Sequence, residues 1–553
     1  MRQICLAIFI LLVSFKVVAQ QEIDSSNLYK ELELNKSISE YTLFPVGKKG
    51  FVLGYITDIK YGWHPYQDFV FQKFDVNFKE DYKVNFKIEY LSSFINSKID
   101  GDFIYLLFVI NQNRVIDPLY PNDYFEDYLI IRFNYLTKDI KTFHNQTKQS
   151  FHLKRMEIID NQIVLAGKTG RMGDGMFTKD QYIPMIIKVN MDSLIKKEYI
   201  IEPAIKGSNE ILDFDFNEIT GNIDCIVKNK SKKKINIAVS SADKEKLSDE
   251  VEIKLPEDIE VFNSCINNIG GGIRLIVGNY GPIRESYIYF KDKNYSEREH
   301  EKFNAEEANY TKGVYISLTN KDLVLSKLVP WSDFTFFKKD KDIEKKLDRT
   351  NNLKRGEIAY TTNLLFHEPF INGKDEIVFM CEMYYPKFEY RTVRKIDENN
   401  NNKEYYASIK TFVGYYFSGV LVFAISKTGE LVWDDLVKVS DVNTKYLLPQ
   451  FKIKEIAKGE GNRVIMVNEG SELKLLSVSD EGVLLDNYKI DINKYLLQDY
   501  TIKFHYAKTN KVDYWYDKYF ITSCGLKLKS KSDKEEKGVF YIFKEKFPDA
   551  IIK

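Results

Sequence analysis

One event recurs along this chain: an apolar run meets a polar turn, and a strand of alternating apolar and polar residues follows. The first example is the run from Phe69 to Phe78, which meets Lys79, Glu80 and Asp81. Beyond the turn, Tyr82, Val84, Phe86, Ile88 and Tyr90 alternate with Lys83, Asn85, Lys87 and Glu89. A period of two marks a half-exposed strand, and the polar interruption before it marks a hairpin. The same sequence of events returns at Leu129–Tyr135, Pro184–Asn190, Ile235–Ser240, Val314–Leu318, Val420–Ile425 and Leu473–Val478.

Two further strand-like runs precede each hairpin. In the first unit they are Tyr41–Val46 and Phe51–Ile56, in the third Leu153–Ile159 and Gln162–Ala166, in the seventh Phe451–Ile456 and Arg463–Val467. The template is therefore four strands in about fifty residues, and fixed-period four-stranded units are the sequence sign of a β-propeller. Units begin near residues 40, 92, 150, 208, 258, 358, 445 and 500. This predicts an all-β, closed propeller of eight four-stranded blades, with seven as the alternative.

The last unit is one strand short, and the N-terminal segment has one too many. Leu28, Leu32 and Leu34 alternate there with Glu31, Glu33 and Asn35. Pairing this strand with the final unit would close the ring and cover an open sheet edge. The run from Gly419 to Trp433 (GVLVFAISKTGELVW) resembles a blade of the repeat propellers found in secreted bacterial proteins. That resemblance covers one blade and implies fold, not activity.

Composition fits this picture. Among 553 residues, 44% are hydrophobic, and 37 Tyr and 38 Phe stand against 9 Met and 13 Pro. Aromatic residues favour the pleated surface of a strand. Basic and acidic residues balance at 80 each, without the basic excess of a nucleic-acid binder. Residues 1–19 read as a signal peptide: Arg2 supplies charge, Ile4 to Val13 the apolar stretch, and Val17, Val18 and Ala19 the small residues before a cut. The expectation is an exported protein, periplasmic or extracellular, with one propeller domain over 20–553 and no later transmembrane segment. The Lys- and Asn-rich composition and the Ala19–Gln20 junction resemble exported proteins of low-GC Gram-negative bacteria. Cys225, Cys381 and Cys524 sit in apolar second-strand patterns, which reads as buried thiols.

Long insertions fall at about 280–312, 332–358 and 384–411. In a meander every strand reverses, so all second-to-third connections leave one end of the sheets, where loops on a rigid scaffold carry binding. Trp63 and Tyr66, Tyr124, Phe177, and Tyr385, Tyr390 and Arg391 occupy that connection in units one, two, three and six. Exposed Tyr, Trp and Arg suit a protein interface, and an aromatic face with polar neighbours suits a sugar ring. The partner is expected to be an envelope or extracellular protein, or a glycan.

The second function class is a polysaccharide hydrolase or lyase, with carboxylates or a His–Tyr–Arg set gathered at the centre. His64, Tyr66, Asp123, Glu126 and Arg171 are its first candidates. Asp117, Asp123, Glu126 and Asp127 have no EF-hand spacing, the six His occur singly without a zinc motif, and no GxSxG elbow is present. The reading is a binding protein without cofactor or metal, and convergence of a carboxylate pair from different blades would favour the enzyme instead.

Overall fold

In the computed structural model of the chain, the residues described are 28–33, 41–57, 66–89, 92–110, 124–159, 161–171, 181–200, 208–217, 222–230, 235–243, 246–254, 256, 259–269, 272–282, 311–319, 324–336, 363–397, 403–444, 450–455, 463–469, 472–478, 484–491, 500–532 and 536–547. The signal-peptide segment, Trp63 and Phe177 lie outside them.

Strand β1 (Leu28–Glu33) stands first in the chain. The alternating pattern of the first unit becomes β2 (Tyr41–Pro45), β3 (Phe51–Thr57), β4 (Tyr66–Phe74) and β5 (Glu80–Glu89), an antiparallel sheet in that order. Position within the sheet explains the residue pattern. The outer strand β5 alternates between exposed and partly buried residues, because one of its faces meets water.

The next sheet has seven strands: β6 (Ser92–Asp100), β7 (Phe103–Ile110), β8 (Tyr124–Asn134), β9 (Ile140–Ile159), β10 (Gln162–Arg171), β11 (Gln181–Asn190) and β12 (Ile195–Ile200). The sequence pattern divides this stretch into two units near residue 150. Instead β9 runs unbroken, pairing with β8 over Ile140–His152 and with β10 over Phe151–Ile159. Its run of polar residues, Asn145 to Ser150, contains neither Gly nor Pro to stop a strand.

Four-stranded sheets follow: β13 (Ser208–Asn217), β14 (Asn222–Lys230), β15 (Ile235–Asp243) and β16 (Lys246–Lys254), then β17 (Ile259–Asn268), β18 (Arg274–Pro282), β19 (Gly313–Thr319) and β20 (Val324–Pro330). Strand β19 is buried at every position, since both its faces pack on neighbouring sheets. Next come β21 (Asn363–Phe366), β22 (Phe370–Ile371), β23 (Ile377–Asp397), β24 (Lys403–Ile425) and β25 (Leu431–Thr444), then β26 (Lys452–Glu455), β27 (Arg463–Glu469), β28 (Glu472–Val478) and β29 (Leu484–Asp491). The last sheet holds β30 (Tyr500–Tyr516), β31 (Tyr519–Ser530) and β32 (Glu536–Lys546), with β1 hydrogen-bonded to β32 from Leu28↔Lys544 to Glu33↔Val539.

The molecule is an all-β propeller: six of its seven sheets stand alone as single blades, and the seventh is the seven-stranded one. Successive sheets pack face to face through apolar clusters. Phe71 stacks on Phe133 with centroids 4.0 Å apart, and Val277, Val314 and Trp331 of one blade share a core with Leu364, Phe379 and Phe423 of the next. Tyr41, Leu43 and Phe51 of the first sheet share another with Trp515, Ile521 and Phe540 of the last. Cys225, Cys381 and Cys524 are buried on second strands, and burial pushes the Cys524 thiol up to about 12.

Candidate functional site

The alternation of strand direction puts the end of each second strand and the start of each third strand at one end of the sheets. Tyr66 opens β4 and Tyr124 opens β8. Tyr385 follows the last blade pairing of β23, where Asn363 faces Tyr384. All three belong to that end. Tyr66 is 56% exposed. Tyr385 is half-buried, its ring 5.0 Å from that of Tyr416, and burial followed by the neighbouring Tyr416 raises its phenol pKa.

The sequence pattern predicts a long loop over 384–411 that carries Tyr385, Tyr390 and Arg391, but β23 continues through all three and returns as β24. Tyr390 pairs with Lys410 and Arg391 with Ile409 in antiparallel register, beyond an irregularity between Lys387 and Phe388. The residues from Tyr384 to Ile396 include Tyr, Phe, Thr, Val and Ile at frequent intervals, a composition that favours a strand over a loop. Phe177 and Trp63 lie outside the described residues. So do His64 and Asp123 of the acid–base set, while Glu126 lies within β8 and Arg171 closes β10.

Buried polar ties hold successive sheets together at this end. Glu382, fully buried on β23, accepts hydrogen bonds from the backbone N–H groups of Gln450 (2.9 Å) and Phe451 (3.0 Å). His367 Nε2 lies 2.7 Å from the same carboxylate. One blade further back, Asn279 Oδ1 accepts the Leu364 N–H at 2.6 Å. Lys228 donates to Glu260 and to the Val261 carbonyl, both at 2.7 Å. In each case a polar residue on a second strand reaches the first strand of the next sheet or the residues just before it. The signal was in the sequence: Glu382 is the one charged residue between Ile377 and Tyr385. A single charge in an apolar strand has to be paired.

The inner strands carry a second polar arrangement, in which carboxylates of two sheets meet one guanidinium. Lys98 on β6 reaches Glu157 on β9 at 3.0 Å. Arg155 donates through Nε to Glu157 (2.9 Å) and through Nη1 to both oxygens of Asp213 on β13 (3.3 Å each) and to the Phe214 carbonyl (2.9 Å). Asp213 also accepts the Ile266 N–H at 3.1 Å, and Asp215 accepts the Asn268 N–H at 2.9 Å. First strands of successive units are thus tied in a chain. A glycosidase acid needs a carboxyl held protonated, with its pKa raised. Glu157 moves the other way: burial pushes it up, but Arg155 and Lys98 outweigh burial and the net direction is down. This arrangement ties strands together.

The depressed Glu157 carboxyl predicts acid lability. A folded pKa below the unfolded one contributes stability that is full above the usual value of 4.5 and is lost as pH falls through the depressed value. Melting temperature should therefore fall more steeply below about pH 4.5 in the wild type than in Glu157→Gln. Thermal melts across that range that run parallel for the two proteins would remove Glu157 from this role.

No protein-family model and no curated protein matches the sequence. Among solved structures, cobalt-substituted Synechocystis apocarotenoid oxygenase is similar over 53% of this chain and 61% of its own, at 9% identity and a TM-score of 0.30. A prolyl endopeptidase is similar over 90% of this chain and 55% of its own, at 7% identity and a TM-score of 0.35. The chain spans less than two thirds of the length of either. The propeller assignment rests on the strand order and the sheet contacts above.

Proposed function

We propose that the protein is an exported, non-catalytic binding protein. In this reading it is an eight-bladed propeller closed by its N-terminal strand, which engages a protein partner on the end of the sheets where second strands pass to third strands. The eight-blade count is supported by β9, whose first half completes one four-stranded set and whose second half begins the next. Closure is supported by the β1–β32 pairing and by Trp515, whose Nε1 donates to the Gly50 carbonyl at 2.7 Å. Export is supported by the charge, apolar stretch and small residues of positions 1–19.

The observation that carries the binding reading is the long hairpin of β23 and β24. It continues past the blade at the end where Tyr66 is exposed and Tyr124 begins its strand. Aromatic and Arg side chains are the usual anchors of protein interfaces. Trp63, Tyr66, Tyr124, Phe177, Tyr385, Tyr390 and Arg391 are the proposed contact set.

The test is the pair Trp63→Ala and Tyr66→Ala in the mature protein, with an envelope partner isolated by crosslinking to the wild type. Loss of an anchor aromatic is worth about 2 kcal/mol, or roughly thirtyfold in affinity, with an unchanged melting curve. Unaltered affinity in the double variant would refute the binding face. Selective capture of oligosaccharides on a glycan array, lost in the same variants, would identify the partner as glycan. Glycan turnover lost in Asp213→Asn or Glu157→Gln would overturn the non-catalytic reading.

A further inference from the structure

The first and second sheets meet at the proposed binding end through a histidine. His144, on β9 of the second sheet, has Asp127 of β8 at 2.6 Å from Nε2. Glu89, the last residue of β5 in the first sheet, lies 3.3 Å from Nδ1. Among the described residues these are the charged groups that reach the ring. On β9, Lys141 turns instead to Asp192 at 3.5 Å, and on β5, Lys87 pairs along the backbone with Asp68.

The two carboxylates are not equivalent. The Asp127 side chain is 8% exposed and that of Glu89 32%. A neutral imidazole has one N–H and an imidazolium has two. A buried carboxylate has to be paired, so the single proton of a neutral ring stays with Asp127. Nδ1 then turns a lone pair toward Glu89, and the contact between the sheets repels. With both nitrogens protonated, the ring donates to both carboxylates and the contact attracts. Histidine is the side chain that ordinarily makes this change between about pH 5 and pH 8.

Position gives the contact its consequence. Glu89 pairs with Tyr66 in the register of β4 and β5, and β8 begins at Tyr124 and leads to Asp127. A second tie at this end, from Gln67 Nε2 to the Ser92 carbonyl at 3.4 Å, does not titrate. At the other end of the same two sheets Lys49 donates to Asp102 at 2.7 Å. That hydrogen bond raises the lysine pKa and lowers the aspartate pKa, so the pair stays charged. A change across neutral pH therefore acts on one end of this junction.

We propose that His144 is a pH-operated latch between the first two sheets, closed when the ring is protonated and loosened when it is neutral. The latch sets the spacing of the strand ends at Tyr66 and Tyr124, and the partner is held more tightly on the acid side of neutrality. This rests on the reading of that end of the sheets as the binding face.

The test is amide exchange of the mature full-length wild type and Glu89→Gln at about pH 6 and about pH 8. A Gln side chain accepts from the imidazolium and donates to the neutral ring, so the bridge persists at both values. At the higher pH, exchange over 66–69 and 86–89 should be about threefold faster in the wild type than in Glu89→Gln, the scale of a partly exposed ion pair. At the lower pH the two proteins should coincide, and residues 314–318 should exchange alike in both throughout. His144→Gln, which reaches one carboxylate, should behave at both values as the wild type does at the higher one. Equal exchange of wild type and Glu89→Gln at both values, or loosening on the acid side, would overturn the latch. Affinity for the crosslinked envelope partner should fall with rising pH in the wild type and stay level in Glu89→Gln. A level affinity in both, beside pH-dependent exchange, would overturn control of the binding face. The two readings separate: unaltered affinity in Trp63→Ala with Tyr66→Ala refutes the binding face, whereas exchange in Glu89→Gln decides the latch without any partner.

Discussion

Replacing Trp515 with alanine destabilises the protein by about 3–5 kcal/mol, the usual cost of removing a large aromatic from a packed core. The residue is 3% exposed and joins the two ends of the chain. Its ring lies parallel to Phe78 at 5.8 Å and edge-on to Phe51 at 5.7 Å, both from the first sheet, while its own strand belongs to the last. Its indole N–H donates to the Gly50 carbonyl, and Lys48 reaches Asp517 beside it at 2.9 Å. Alanine leaves a cavity where these sheets meet and takes one of two donors from the Gly50 carbonyl, which keeps the Val46 N–H at 3.0 Å. Trp515→Phe refills most of the volume without the hydrogen bond and should recover more than half of the loss. Removing residues 22–38 attacks the same junction from outside. It deletes β1, including Glu31, which accepts from Lys537 at 2.8 Å and from the Tyr541 hydroxyl at 3.1 Å, and it bares the edge of β32 to other chains. Urea midpoints lowered in both variants, with aggregation in the truncated one, are the expected results. If Trp515→Ala melts like Tyr66→Ala, the first and last sheets are not mechanically joined through this contact.

Blade boundaries were legible in the sequence wherever a polar turn separates two strands of different burial. The N-terminal strand was legible because Leu28 and Leu32 alternate with Glu31 and Glu33 beside a unit lacking one strand, and β1 pairs where that count required. Two features were not legible. The polar run near residue 150, where one unit passes to the next, does not break the backbone, which continues straight through as β9, since polar side chains alone do not end a strand. The position of the aromatic stretch after Tyr384, between the second and third strands of its unit, predicts a loop. Its composition was that of a strand, and strand length is set by pairing with β24, about twenty residues away, which no local pattern reports. The buried ties were the least visible, because a carboxylate that accepts backbone N–H groups from another sheet has no partner close in sequence. Only its isolation among apolar neighbours gives it away.

Glu382 tests that last point. Glu382→Ala should cost about 3–5 kcal/mol, because each buried donor left unpaired costs roughly 1–3 kcal/mol and more than one is left. The carboxylate is fully buried, and its acceptors hold Gln450 N–H, Phe451 N–H and the His367 ring. Gln450 and Phe451 precede β26, so the tie sets where the first strand of the next sheet begins. Phe451 is itself buried in the cluster that joins the two sheets, with Phe417, Val420 and Ile465. Losing the tie therefore frees an apolar anchor along with two amides. Glu382→Gln keeps one carbonyl acceptor for the amides and gives up the charged partner of His367, so it should recover about half of the loss. The measurement is the urea midpoint of the three proteins, with amide exchange at 450 and 451 as the local readout. Exchange there should accelerate in Glu382→Ala before global unfolding does. A structural tie also predicts that the folded variant, well below its midpoint, binds the envelope partner as the wild type does. Lost affinity with unchanged stability would mean instead that Glu382 touches the ligand.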